Sequence, residues 1–207
     1  MKKTLMMVLS LVLVAALSIG GTLAYFTDSD KVENTFTVGK VDIILDEADT
    51  DEMGVVKQND EGEALERVKA NEYKLIPGHT YVKDPTIHVA DGSEDTFLYV
   101  QIFNGLGNVL TENCIETQLA NNGWELVENT ENIYAFQKHT NLNMAVTAGQ
   151  NVKVFDEFVI NSAMNEQTLT EVEESTIEVI AFAIQANDIE ESAADAEAIA
   201  YFNSLNV

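Results

Sequence analysis

Three histidines and one cysteine are the side chains of this chain that most often serve catalysis or transition-metal binding. The histidines are His79, His88 and His139, and no two of them have the i, i+4 spacing that puts two zinc ligands on one helix face. None lies in an HExxH motif, and all three positions are typical of strands and turns. Cys114 has no histidine next to it in sequence and is predicted to be a small buried apolar residue. The sequence therefore predicts no catalytic residue, no metal site and no cofactor.

Carboxylates are far more numerous, with 35 Asp and Glu residues against 11 Lys and Arg, so the formal net charge is −24. Nothing in the sequence selects a catalytic pair among them. Acidic clusters at 46–52 and 91–95 carry oxygen ligands that suit Ca²⁺, but neither matches an EF-hand loop, and solvated loops are expected there. A surface this acidic repels nucleic acid and anionic membranes, which are therefore excluded as partners.

The first 24 residues are predicted to be a secretory signal peptide. Two lysines precede an apolar run over 5–19, which is shorter than a bilayer-spanning helix needs, and small residues follow it. The predicted cut lies between Ala24 and Tyr25, and loss of Lys2 and Lys3 changes the formal charge from −24 to −26. An uncleaved N-terminal anchor is the alternative. We expect a secreted protein with no stable membrane anchor after cleavage.

Segments rich in β-branched and aromatic residues, bounded by turn residues, dominate the rest of the chain. Strands are predicted at 35–45, 80–89, 96–103, 124–127, 133–138, 152–160 and 176–184, with a strand end and a Pro-Gly turn at 73–78. Alternation in the first strand slips at Gly39, which predicts a bend or bulge. The second and third strands are expected to form a hairpin around Asp91-Gly92. The lone tryptophan, Trp124, is expected in the core.

Two helices interrupt the strands. One is predicted over 111–121 and ends at Asn122-Gly123, a C-cap signal. The other is an Ala-rich C-terminal helix that opens near Ser192 and carries Ile199 and Phe202 on its apolar face. One cysteine permits no intrachain disulfide, so stability must come from the core. Many short strands and few helices predict an all-β, two-sheet sandwich that occupies residues 25–207 as one domain.

The junction between the leader and the first strand has a distinctive sequence. Residues 20–28 read GGTLAYFTD and residues 34–43 read NTFTVGKVDI. The chain thereby resembles the TasA/camelysin family, secreted proteins of Gram-positive bacteria that a SipW-type signal peptidase processes. Pro77-Gly78, the 86–100 hairpin, the AIQANDI ending at 183–189 and the Ala-rich terminal helix also match. The resemblance covers nearly the whole chain, although 105–147 matches only in its general strand pattern.

The resemblance implies a jelly-roll-like sandwich with short peripheral helices, and a subunit of the fibres of an extracellular biofilm matrix. In such fibres the N-terminal segment of one subunit, here 25–38, adds as a strand to the next subunit. An extended terminus can complete a neighbour's sheet edge, and head-to-tail addition that does not close makes a filament. A terminus that is disordered or docked on its own subunit is the alternative. The expected polymer-interface residues are Tyr25, Phe26, Val32, Phe36 and Val38.

The expected partners are copies of this chain, related matrix proteins and, during export, the signal peptidase. Two other functions stay open. The first is a zinc-dependent endopeptidase at the cell surface, which the metallopeptidase label of the name camelysin implies. The second is an accessory protein that caps or anchors the fibres of a paralogue. The sequence does not select among low pH, calcium and cleavage alone as the trigger of assembly; low pH is one candidate, because protonation reduces the repulsion between acidic subunits.

Overall fold

A computed structural model describes residues 27–30, 41–137 and 145–205 of the chain. The strands in this part are β1 (Thr27–Asp30), β2 (Ile43–Asp46), β3 (Thr80–Val82), β4 (Thr86–Val89), β5 (Thr96–Asn104), β6 (Trp124–Leu126), β7 (Ile133–Phe136), β8 (Asn151–Lys153), β9 (Glu157–Val159) and β10 (Ile177–Gln185). The helices are α1 (Cys114–Asn121), α2 (Glu166–Thr170) and α3 (Glu191–Ser204), and a 3₁₀ turn covers Gly107–Val109.

The strands form three antiparallel sheets, which confirms the all-β sandwich with peripheral helices. The largest has the order β1-β10-β5-β7-β6, the second β2-β4-β8, and β3 and β9 form a small third sheet that the two-sheet expectation did not include. β10 and β5 are the long central pair, in register from Ile177 opposite Asn104 to Gln185 opposite Thr96.

The main core lies between the five-stranded and three-stranded sheets. Leu98 and Val100 of β5 belong to one buried cluster with Ile43 of β2 and Ile87 of β4. Each fully buried side chain of this size stabilises the fold by about 1.5–3 kcal/mol. Trp124 is in the same cluster, only 2% exposed, and its Nε1–H donates to the Lys153 carbonyl oxygen at 2.9 Å. The expected core position of Trp124 is confirmed.

Helix α3 covers the opposite face of the five-stranded sheet. Tyr99 of β5 and Phe182 of β10 pack there against Phe202 and Ala198, while Ile199 is partly buried beside them. The Ala-rich composition lets the helix lie close to the sheet, because only small side chains separate the backbones. The predicted C-terminal helix and its apolar residues are therefore confirmed.

Two predicted strands are each divided in the structure. The 80–89 segment forms β3 and β4, which lie in different sheets, and Pro85 lies between them, where its lack of an N–H donor prevents a continuous ladder. The 152–160 segment divides in the same way into β8 and β9. Since β3 pairs with β9 and β4 pairs with β8, the two segments bend together from one sheet to the next.

The predicted hairpin of the second and third strands is wrong. A turn does occur at Asp91-Gly92, where Gly92 has a φ of 85°, but it leads from the three-stranded sheet to the five-stranded sheet. Ser93 explains the redirection, because its hydroxyl accepts from the Asp42 N–H at 2.9 Å and donates to the Asp42 carbonyl at 3.0 Å. These bonds hold the turn against the start of β2.

The acidic cluster at 46–52 is not the solvated loop that its composition predicts. Glu47 and Thr50 are buried, and backbone bridges join Glu47 to Val68 and Thr50 to Val56. The segment 47–73 is therefore a folded arm beside β2. The 91–95 cluster, in contrast, is partly to fully exposed, as expected. No strand forms at 73–78, which is instead held by the Tyr81 hydroxyl, a donor to the Lys74 carbonyl and an acceptor from the Ile76 N–H.

Candidate assembly edge

Strand β1 lies at one edge of the five-stranded sheet, paired with the second half of β10. Thr27 is opposite Ile184, and Asp30 is opposite Ala181. β1 also lies against β2, so it closes the side of the sandwich. It is short and carries two aspartates, features that natural edge strands use to avoid uncontrolled pairing.

The residues expected to mediate assembly flank this strand. Ala24 of the predicted cleavage site lies outside the described residues, and so do the five expected interface residues, which are Tyr25, Phe26, Val32, Phe36 and Val38. The predicted bulge at Gly39 also lies outside them. What the structure shows is that the described part of the 25–38 segment forms a strand on β10 of its own subunit.

The first half of β10 differs from the second half in its neighbours. Ile177 to Ile180 pair with β5 on one side, and no described strand pairs with them on the other. The side chain of Ile180 packs towards α3, whereas Ile177 and Val179 pack against the main core. A peptide that added here would continue the line of β1 along the same edge.

A groove of about 760 Å³ lies beside this half of β10. Three segments form most of its lining, namely 45–47 at the end of β2, 69–73 in the arm, and 173–179 leading into β10, and Lys83 also lines it. Apolar side chains such as Leu45 and Val179 alternate in its walls with charged ones such as Lys69 and Glu178. A volume of this size suits a short segment of polypeptide or a small ligand.

An ionic network holds the arm to the three-stranded sheet at one end of the groove. Arg67 donates from Nε to Asp46 Oδ1 at 2.5 Å and from Nη1 to Asp84 Oδ2 at 3.0 Å. Desolvation by burial lowers the pKa of the Arg67 guanidinium, but hydrogen bonds and charge from Asp46 and Asp84 outweigh it, so the net pKa is raised. His88 Nε2 hydrogen-bonds the same Asp46 oxygen at 2.8 Å. The network fixes the position of the arm, and Arg67, Asp46, Asp84 and His88 hydrogen-bond within it.

The histidines and the cysteine do not converge in the described part of the chain. His88 Nδ1 lies 2.7 Å from Asn151 Oδ1, and His79 Nε2 lies 2.9 Å from the carbonyl oxygen of Met53. His139 lies outside the described residues. Among those residues no group of three His, Cys, Asp or Glu side chains is arranged to hold a metal ion. Cys114 is half-buried against the core, and its burial raises the pKa of the thiol, which disfavours a nucleophilic thiolate.

The N-terminal part of the chain is similar to a known protein family. Residues 1–68 match the family described as camelysin metallo-endopeptidase. The N-terminal third of the chain is therefore similar to this family, in agreement with the resemblance to the TasA/camelysin family. No curated protein and no solved structure matches the chain. The camelysin match includes β1, β2 and the arm as far as Val68, and thus the 45–47 part of the groove lining, but not β10. The described residues do not fit a zinc ion, although the family description implies a metal.

Sequence reasoning missed the buried part of the arm and the groove beside it. The sequence does contain a pattern that indicates the buried part of the arm. Val41, Ile43, Leu45 and Glu47 follow the period of two that marks the inward face of a strand, and all four are buried. The acidic composition of 46–52 concealed that Glu47 continues the inward face. In the described residues, no helix is both long enough and apolar enough to span a bilayer.

Proposed function

We propose that this protein is a secreted structural subunit of the fibres of an extracellular biofilm matrix. The observation that carries the proposal is β1, an edge strand close to the predicted mature N-terminus that pairs antiparallel with β10. A terminal edge strand is the element that a subunit can exchange with a neighbour at the lowest energetic cost. The N-terminal camelysin match supports a protein of the cell surface or the extracellular space.

Assembly in this proposal is an exchange of strands. The 25–38 segment leaves β10 of its own subunit and adds to β10 of the next. The main-chain hydrogen bonds are the same in both states, so the exchange loses little energy within the ladder. Because each subunit both gives and receives a strand, head-to-tail addition produces an open filament. The side chains that we propose to mediate the contact are Tyr25, Phe26, Val32, Phe36 and Val38.

The first half of β10 and the groove beside it support a longer contact than β1 makes alone. Ile177 to Ile180 have no described partner strand on the outer side. An incoming segment could continue past the β1 position and place alternate side chains against Leu45 and Val179 in the groove. Cleavage between Ala24 and Tyr25 by a SipW-type signal peptidase would free the segment, so assembly would follow export. The partners are then copies of the chain or related matrix proteins.

A cell-surface metallo-endopeptidase is the second candidate, and the similarity of residues 1–68 to the camelysin metallo-endopeptidase family favours it. It requires zinc bound in a stoichiometric amount and proteolysis that chelators abolish. An accessory protein that caps or anchors the fibres of a paralogue is a variant of the structural proposal. Such a protein would bind existing fibres without extending them.

The deciding experiment is negative-stain electron microscopy of the mature chain with an authentic Tyr25 start. A second preparation carries a short extension at the N-terminus, which blocks the free end. The matched control carries the same extension at the C-terminus. We expect filaments from the authentic and C-terminally extended chains and none from the N-terminally extended one. Monomers in all three preparations, together with bound zinc and chelator-sensitive cleavage of casein, would replace the fibre proposal by the endopeptidase.

A further inference from the structure

A buried carboxylate, that of Glu47, joins a lysine and an asparagine at the wall of the groove. Lys83 Nζ donates to Glu47 Oε2 at 2.6 Å, and Asn71 Nδ2 donates to Glu47 Oε1 at 2.9 Å. Glu47 is 4% exposed, and the Lys83 side chain is 13% exposed. The amine and the amide are therefore held on the two oxygens of one carboxyl group, away from bulk water.

Three separate segments bring these groups together. Glu47 directly follows β2 and is fixed by two backbone hydrogen bonds with Val68, at 2.8 and 2.7 Å. Lys83 follows β3, and its N–H donates to the Asp156 carbonyl at 3.1 Å. Asn71 lies at the end of the arm. The arrangement depends on the tertiary fold rather than on local sequence.

The orientation of the Asn71 amide is defined by its neighbours. Its Oδ1 accepts from the Thr50 N–H at 2.8 Å, and its Nδ2 donates to the Ala48 carbonyl at 2.9 Å as well as to Glu47. A backbone N–H can donate only to the amide oxygen, so the nitrogen must face the carboxylate. The Thr50 N–H also polarises the amide carbonyl, and it is placed to stabilise negative charge that develops on Oδ1.

We propose that Lys83 and Asn71 become joined by an intrachain isopeptide bond, with Glu47 as the proton-transfer group. The Lys83 ammonium gives a proton to the Glu47 carboxylate, and the resulting amine attacks Asn71 Cγ. The tetrahedral intermediate carries its negative charge on Oδ1, where the Thr50 N–H donates to it. Glu47 then delivers its proton to Nδ2, the Cγ–Nδ2 bond breaks, and nitrogen leaves as ammonia. The Nζ–Cγ amide bond remains, a second proton from Nζ makes ammonium, and no oxidant or cofactor is consumed.

The surroundings favour this reaction over a simple ion pair. Fixed positioning of an amine and an acid–base group against an amide supplies much of the barrier reduction that an intramolecular reaction needs. The flexible four-carbon stem of lysine lets Nζ move from Oε2 towards Cγ. All three side chains line the groove, which gives ammonia a route out. A chain with a single cysteine has no intrachain disulfide, so this bond would be its covalent crosslink.

Mass spectrometry of the purified chain tests the proposal. The crosslinked chain should be lighter than its sequence mass by about 17 Da, the mass of the ammonia lost. Trypsin should release 70–74 and 75–83 separately from an unlinked chain. In the linked chain the modified Lys83 resists cleavage, so 70–74 should stay attached to 75–138. A sequence mass and two separate peptides would overturn the proposal.

Variants separate the isopeptide from other losses of ammonia. K83R keeps a cation for Glu47 but should abolish both the mass loss and the linked peptide, whereas K57R, at the exposed Lys57–Asp49 ion pair, should keep both. A succinimide at Asn104-Gly105 or Asn122-Gly123 has the same mass but would persist in K83R, and that result would refute the crosslink. E47Q should slow formation at least tenfold. If either K83R or E47Q fails to fold, the peptide map of the unmodified sequence decides alone.

Discussion

Asp28 of β1 lies opposite Ala183 of β10, so the segment proposed to enter the next subunit is paired within its own subunit. The outer edge of β10 can pair either with the 25–38 segment of its own subunit or, in the proposed fibre, with that of a neighbour. In the proposed fibre, the β1–β10 ladder must therefore open before the segment can add to a neighbour. A crosslink between positions 28 and 183 would prevent that opening.

A disulfide across this pair should prevent assembly reversibly. In the D28C/A183C variant, with C114A to remove the native thiol, oxidation would lock β1 to β10 of the same subunit. Facing positions on neighbouring strands are close enough for a disulfide to form. We expect monomers under oxidising conditions and filaments after reduction, measured by electron microscopy and light scattering on the same sample. Equal filament yields in both states would show that β1 is not exchanged.

Deletion of 25–34 should abolish polymerisation while leaving a folded monomer. The deletion keeps the contacts of β2, β4 and β5 in the main core and the packing of α3 on β5 and β10. Circular dichroism should retain its β-sheet signal, and size-exclusion chromatography should show one monomeric species. Filaments formed by this truncated chain would contradict strand donation, whatever their yield.

Replacement of Arg67 by alanine should destabilise the arm. The substitution leaves Asp46 and Asp84 near each other without their cation, and both are largely buried at their side chains. Since Arg67 is itself partly exposed, we expect a loss of about 1–2 kcal/mol in the free energy of unfolding, measured by urea titration. K57A, which removes the exposed ion pair with Asp49, should change it by less than about 1 kcal/mol. Equal losses of unfolding free energy in R67A and K57A would show that the Arg67 network does not stabilise the arm more than an exposed ion pair does.

Alkaline pH should destabilise the contact of α3 with the sheet through Tyr99. Burial raises the pKa of the Tyr99 hydroxyl, and the nearby Asp195, which accepts its hydrogen bond at 3.0 Å, raises it further. A raised pKa in the folded state means that the neutral hydroxyl stabilises the fold below about pH 10, the unfolded value, and that this stability declines as the pH rises above it. Thermal unfolding of Y99F should show a shallower decline between about pH 10 and pH 11 than the unmodified chain. If the stability of both chains declines equally with pH, Tyr99 is not the source of the alkaline destabilisation.

Acidification should promote filament formation. The formal charge is −24, and −26 if the predicted leader is removed, so subunits should repel one another, and protonation of carboxylates should lower that repulsion. Filament yield should rise between about pH 7 and about pH 4.5, and added salt at about pH 7 should have a similar effect through screening. Yields that respond to neither condition would show that charge repulsion does not control assembly.

The strands at 96–103 and 176–184 and the Ala-rich terminal helix were predictable because each is decided by local features. Long runs of β-branched and aromatic residues favour one strand, and a stripe with Phe202 at helical spacing favours one helix face. Pro85 does not by itself predict the division of the 80–89 segment between two sheets, because a strand interrupted by one proline can either bend into another sheet or end. The turn at Asp91-Gly92 was recognised, whereas its destination depended on the contact of Ser93 with Asp42.

The sequence by itself determined the β-rich class, the acidic surface and the camelysin-like N-terminus, because composition, alternation and a contiguous motif are local properties of the chain. Only the tertiary structure decided that β1 docks on β10 and that a groove forms beside the first half of that strand. It alone placed Lys83 and Asn71 on the carboxylate of Glu47. These contacts join segments separated by tens of residues or more, and register and packing in three dimensions select them from many pairings that the sequence equally allows.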